Sequence, residues 1–209
     1  MDSLPRRRVA VLISGRGSNM ASLIEAADEP GYPAAIVLVA SNRPGAGGLA
    51  RAESAGIPTA VVDHAAFSDR RSFERALDRV LAEAGTELVC LAGFMRVLTP
   101  SFVERWKGRM LNIHPSLLPL FKGLGTHAQA IAAGVRVHGC TVHYVVPELD
   151  SGPIVAQAAV PVLWDDEEAT LAARVLEAEH RLYPDALAAV ATGRIRLDGN
   201  RAVHIPERA

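Results

Sequence analysis

Short unbroken apolar runs recur along this chain with helix-period segments between them. That alternation restricts the fold more than any other feature. Val9–Ile13, Ala35–Ala40, Thr59–Val62, Leu88–Ala92 and Met110–His114 are the runs, rich in Val, Ile and Leu. A strand with water on one face alternates apolar and polar residues, whereas a strand that stays apolar is covered on both faces. Between the runs, Met20, Leu23, Ile24 and Ala27 recur at helical spacing. A helix over roughly 46–55 ends at Gly56, an amphipathic segment from Phe67 to Ala84 stops at Gly85, and a short helix falls near 100–106. The pattern predicts a Rossmann-like α/β fold, a mostly parallel twisted sheet with helices on both faces.

The character changes after residue 115. Gly139–Val146 alternates in part, and Ile154–Val162 is a proline-bounded, β-rich stretch. Glu167–Val190 is the longest helical pattern, with Leu171, Val175, Leu176, Ala178 and Leu182 on one stripe and Pro184 as a candidate kink. Arg194–Ile205 reads as a C-terminal β-hairpin with Asp198-Gly199 in the turn. No repeat, linker or low-complexity segment divides the 209 residues, so one domain over 1–209 is expected.

Composition excludes several classes. A formal net charge of -1 gives no broad basic surface for nucleic acid. The cluster Arg6-Arg7-Arg8 has no apolar segment behind it of the kind a secretory leader carries. No apolar run approaches the ~18 residues needed to span a bilayer. Cys90 and Cys140 are isolated within apolar runs and read as buried free thiols in a reducing cytoplasm, the expected location.

Two places carry candidate chemistry. Gly15-Arg-Gly-Ser-Asn19 follows the first strand and opens a helix, so backbone N–H groups and the positive helix end face whatever lies above the turn. Met20 stands where a third dinucleotide glycine would fall. Ser41 and Asn42, not an acid, end the second strand. Both departures count against NAD or FAD. A phosphate monoester of a small sugar fits better, with Ser18 and Asn19 adding side-chain donors; a plain tight turn with an N-cap is the alternative. At Arg109–Pro119 (RMLNIHPSLLP), Asn112 and His114 are two apart on one strand and project to the same face at its carboxyl end. An amide and an imidazole there can stabilise an oxyanion and handle one proton, or they can be polar groups satisfied at a strand end. Asp150, in the turn Leu149–Pro153, would fix the imidazole's tautomer if it lies beside His114, or simply form an Asx-turn. His127, His138 and His143 lack metal-ligand spacing, so no metal is expected, and His143 reads as a structural polar position.

These motifs together resemble the phosphoribosylglycinamide formyltransferases, folate-dependent enzymes of purine synthesis. The matching segments are Leu12–Asn19 (LISGRGSN), Leu91–Leu98 (LAGFMRVL), Leu111–Pro119 (LNIHPSLLP) and Gly139–Ile154 (GCTVHYVVPELDSGPI), in order, within a likeness running from about residue 8 to 192. The resemblance implies transfer of formyl from 10-formyltetrahydrofolate, as cosubstrate, to the amine of glycinamide ribonucleotide, with no metal. It implies Asn112, His114 and Asp150 as catalytic residues. Gly17, Ser18 and Asn19 would hold the ribonucleotide phosphate and Glu179 its ribose. Arg70, Met95, Arg96, Val97, Leu98, Asn112 and Val146, Pro147, Glu148, Leu149, Asp150 would contact folate. Partners would be small molecules, neither nucleic acid nor membrane, in a monomer or homodimer. Phe121-Lys-Gly-Leu-Gly125 departs from the family's usual Phe/Tyr-Pro-Gly-x-His: Lys122 replaces a proline and Gly125 a histidine, which predicts a looser loop. Arg71 beside Arg70 leaves open which arginine meets folate.

Related readings share the catalytic trio. Methionyl-tRNA formyltransferase usually carries a further C-terminal domain and formyltetrahydrofolate hydrolase an N-terminal one. A first strand starting at about Val9 is expected to leave no room for either. A non-catalytic folate- or nucleotide-binding protein of the same fold would have no need of the trio.

Overall fold

A computed structural model describes residues 5–206. Seven strands form one sheet in the order β3-β2-β1-β4-β5-β6-β7. These are β1 (Arg7–Ile13), β2 (Ala34–Ser41), β3 (Thr59–Val61), β4 (Leu88–Leu91), β5 (Met110–His114), β6 (Val137–Tyr144) and β7 (Ile154–Pro161). The pairs among β1 to β5 are parallel, whereas β6 runs antiparallel to both β5 and β7.

Both faces of the parallel part are covered, and β1 shows how. Val9, Val11 and Ile13 pack with α1 (Ser18–Asp28), α2 (Gly47–Ser54) and α6 (Glu168–Ala191). Ala10 and Leu12 pack on the other side with α3 (Arg70–Glu83) and α4 (Pro100–Arg105). Burial on alternate faces explains why the run is apolar at every position. Each apolar side chain so enclosed contributes roughly 1.5–3 kcal/mol relative to exposure.

Helix starts follow local chemistry. The Asp69 side chain accepts from the Ser72 N–H at 2.8 Å, so α3 begins at Arg70, and the stretch from Phe67 belongs to the loop after a 3-10 turn at His64–Ala66. Pro100 occupies the first turn of α4 behind Thr99. At α6, Glu167 and Thr170 form a reciprocal capping box. The helix then runs unbroken through Pro184.

A helix and a turn differ from the sequence reading. α5 (Thr126–Ala132) was not anticipated, because it starts from Gly125 with no side-chain cap, whereas the similarly short α4 is announced by Thr99 and Pro100. The expected C-terminal hairpin is present as β8 (Ile195–Asp198) with β9 (Arg201–His204), a two-stranded sheet of its own. Asp198 pairs with Arg201, so Gly199-Asn200, not Asp198-Gly199, makes the two-residue turn.

Candidate active site

The carboxyl ends of β1, β4 and β5 share one edge, and α6 is pinned beneath it. The Tyr183 hydroxyl donates to the Leu91 carbonyl at 3.1 Å and to the Leu111 carbonyl at 3.2 Å. Glu179 lies one helical turn earlier on the same face of α6 and is 5% exposed.

On β5, Leu111 and Ile113 enter the core on the α6 side, while Met110 packs among the α3 and α4 side chains. By the two-residue period of a strand, Asn112 and His114 share the Met110 face. The antiparallel neighbour β6 sets His143 opposite Asn112 and Thr141 opposite His114. His143 Nδ1 lies 2.9 Å from the Tyr144 carbonyl, which accepts, so that nitrogen carries the proton. Its Nε2 is then the acceptor for Asn112 Nδ2 at 3.1 Å. Burial holds the His143 pKa below its ordinary value, which keeps this neutral tautomer. Asn112 is thereby oriented, and its second amide hydrogen remains for another acceptor. The sequence reading treated His143 as merely structural. The signal that it orients Asn112 lay in strand pairing, which the linear sequence does not state.

Asp150 comes to the same place from the β6–β7 connection. Its Oδ2 lies 3.5 Å from His114 Nδ1 and its Oδ1 3.9 Å from His143 Nε2. His114 Nε2 donates to the Phe121 carbonyl at 3.0 Å. The side chains of His114 and Asp150 are 7% and 8% exposed, so the pair is shielded from water on most sides. Asp150 (φ 48°) and Phe121 (φ 52°) both adopt left-handed backbone. Each such non-glycine residue costs on the order of 1–3 kcal/mol and persists only when its surroundings over-determine it.

The loop from Leu120 to Gly125 is better tethered than its missing proline suggests. Gly123 N–H donates to Asp150 Oδ2 at 2.9 Å, Lys122 Nζ donates to Ser151 Oγ at 2.6 Å, and Ser116 Oγ donates to the Leu120 carbonyl at 2.6 Å.

The glycine turn forms the other half of the edge. Gly17 caps α1 at φ 69°, and no side chain caps the helix. The N–H groups of its first turn, which lack intrahelical partners, are therefore open to a ligand. A Cβ on Gly48 would meet Ile13 Cδ1 at 2.6 Å and Gly17 Cα at 3.2 Å, and Gly48 N–H donates to the Gly15 carbonyl at 3.0 Å. Gly48 thus supports the turn, a role invisible at its place in the sequence. Asn19 Nδ2 donates to Glu179 Oε2 at 2.8 Å. One hydrogen of the Asn19 amide is therefore engaged by that carboxylate, and the second remains for another acceptor. Ser18 is half-buried at the first position of α1. Burial raises the Glu179 pKa to about 7, with the Asn19 hydrogen bond pulling the other way.

The remaining expected contacts lie on two neighbouring segments. The Met95 N–H donates to the Ser14 hydroxyl at 2.8 Å, which holds residues 93–96 against the end of β1. Met95, Val97 and Leu149 expose large apolar side chains, Leu98 is buried, and Arg96 lies over the Phe73 ring at 4.9 Å. Val146 is half-buried, and Pro147 and Glu148 are exposed. Arg70, exposed at the start of α3, contacts none of the trio. Arg71 lines a small cavity with Asp78 and Arg105 between α3 and α4. Both thiols are buried, with pKa values pushed up to about 12, so they remain protonated. Among the described residues no group of three or more His, Cys, Asp or Glu is placed to hold a metal ion, and no helix is long and apolar enough to cross a membrane.

Fold and site define a doubly wound α/β protein that binds small ligands at the carboxyl edge of its sheet. The chain belongs to the formyl transferase family, whose description matches residues 7–187. It is 44% identical to phosphoribosylglycinamide formyltransferase of Escherichia coli (strain K12), across 93% of this chain and 92% of that one. It is 53% identical to the trifunctional purine biosynthetic protein adenosine-3 of Bos taurus, across 93% of this chain but 19% of the relative, so it spans about a fifth of that protein. Glycinamide ribonucleotide transformylase 1 of Symbiobacterium toebii superposes with a TM-score of 0.93 at 43% identity, covering 96% of this chain and 95% of the other.

Proposed function

We propose that this chain transfers the formyl group of 10-formyltetrahydrofolate to the amine of N1-(5-phospho-D-ribosyl)glycinamide, a step of purine synthesis. The observation that carries the reading is the convergence of Asn112, His114 and Asp150 on the sheet edge that also bears the open start of α1 and the Asn19–Glu179 pair. The phosphate would lie on the backbone N–H groups that follow Gly17, where the helix dipole favours an anion. The ribose hydroxyls would donate to Glu179. The folate would run along the exposed apolar side chains of Met95, Val97 and Leu149.

The amine nitrogen attacks the formyl carbon, and the carbonyl oxygen becomes an oxyanion. Asn112 has one amide hydrogen left after His143 and is the ready donor to that oxygen. His114 adds a second donor once its Nε2 proton turns from the Phe121 carbonyl. Collapse breaks the bond from the formyl carbon to folate N10. The proton lost by the attacking ammonium goes to N10, with His114 and Asp150 as the relay.

The test mixes purified protein, the ribonucleotide and the formylfolate, and follows the folate absorbance. Formation of formylglycinamide ribonucleotide in step with folate release is expected. Deformylation that proceeds without the ribonucleotide, with water as acceptor, would overturn the assignment and favour a hydrolase.

A further inference from the structure

We propose that Lys122 is a positioning residue for Asp150, acting through Ser151. This rests on the formyl-transfer reading of the site. Two consecutive loop residues reach two consecutive residues of the facing turn: Lys122 Nζ donates to Ser151 Oγ at 2.6 Å, and Gly123 N–H donates to Asp150 Oδ2 at 2.9 Å. The second bond falls on the same carboxylate oxygen that faces His114 Nδ1. Ser151 Oγ in turn donates to the Leu149 carbonyl at 2.9 Å, so the ammonium's acceptor is fixed to the turn that presents Asp150.

Phe121, the residue before Lys122, and Asp150, the residue before Ser151, are the only non-glycine residues with left-handed backbone among those described. Each needs external restraint, and the paired hydrogen bonds supply it from opposite sides. Among the described residues Lys122 forms no ion pair, so the hydroxyl does not compete with a carboxylate for its ammonium. A proline at this position could not make the contact, having neither side-chain donor nor flexible stem. Lys122, Asp150 and Ser151 border a cavity of about 420 Å³ that Asn200 and Arg201 of the hairpin also line.

The test compares Lys122→Met with Lys122→Arg and Ser151→Ala in the full chain. Lys122→Met is expected to lower kcat about tenfold, with the KM for the ribonucleotide changed less than twofold and thermal unfolding unshifted; ~100-fold is the scale for misplacing a reacting group by 1 Å. Lys122→Arg should recover most of the rate. Lys122→Met combined with Ser151→Ala should be no slower than Ser151→Ala alone, because removing the hydroxyl already removes the acceptor of the ammonium. An activity-independent readout is the Gly123 amide by NMR: Lys122→Met should move its proton upfield and speed its exchange with solvent. Unchanged kcat with an unmoved Gly123 amide would overturn the proposal. So would an additive double variant, or a rate lost only in proportion to stability. If the wild-type protein transfers no formyl group, the function reading fails, while the Gly123 amide still tests the tether.

Discussion

Replacing Glu179 with Gln should make the protein more stable at neutral pH, and the amount follows from the site. Glu179 is 5% exposed and holds its proton up to about pH 7, against 4.5 for an ordinary side chain. In the unfolded chain the carboxyl ionises at its ordinary value, so between about pH 4.5 and pH 7 unfolding releases a proton. Stability therefore is fully present below about pH 4.5 and falls as pH rises through the folded value. At about 1.4 kcal/mol per pH unit, the rise from 4.5 to about 7 amounts to ~3 kcal/mol. Glutamine keeps the shape and an acceptor for Asn19 Nδ2 but cannot ionise, so it escapes this loss. Urea unfolding of both proteins from pH 4 to pH 8, followed by fluorescence of the buried Trp106, measures the difference directly. The variant's advantage should be near zero at pH 4 and grow to ~2–3 kcal/mol by pH 8, less whatever the Asn19 bond loses when its acceptor is neutral. The same change should raise the KM for the ribonucleotide, since the ribose loses an anionic acceptor. A stability difference that does not vary with pH would refute the reasoning, as would a wild type that is the more stable protein at pH 8.

Asn112→Ala should lower kcat by roughly 10²–10³, the usual loss of one oxyanion donor, and lower stability by about 1–3 kcal/mol because buried His143 Nε2 loses its donor; single-turnover kinetics separates chemistry from binding. Gly48→Ala should raise the ribonucleotide KM and lower stability by about 1–3 kcal/mol, because the new methyl collides with Ile13 and with the Gly17 turn; calorimetry and initial rates test both parts. His138 is fully buried, and burial lowers its pKa to about 4 against the opposing pull of the Pro115 backbone. The unfolded chain binds its proton first as pH falls below about 6.5, so stability declines from there toward pH 4; His138→Phe should flatten that acid limb of the thermal-unfolding profile.

Much of the fold was legible in the linear chain. Continuous apolar runs demand two covered faces, and the helical segments between them had to supply the covers, so β1 to β5 with α1 to α4 and α6 followed from periodicity alone. α5 did not, having no capping side chain or proline to mark its start. The start of α3 moved from Phe67 to Arg70 because a cap, Asp69, outweighs the apolar pattern at a helix end. The spacing of Asn112 and His114 already placed both on one face. Their partners were not legible in that way. Asp150 lies 36 positions beyond His114 (150 − 114), and His143 meets Asn112 only through antiparallel register.

The sequence alone determined the order of most strands and helices, which faces are apolar, and which few positions carry polar groups at strand ends, because these depend on neighbours one to four residues away. Tertiary structure decided what those groups do. It turned Asn19 inward to Glu179 across 160 residues, set Gly48 against the Gly17 turn, oriented Asn112 on His143, and brought Lys122 to the loop that holds Asp150. Hydrogen bonds, desolvation and left-handed backbone all depend on atoms that meet only after the sheet has closed, and no local pattern in the chain records them.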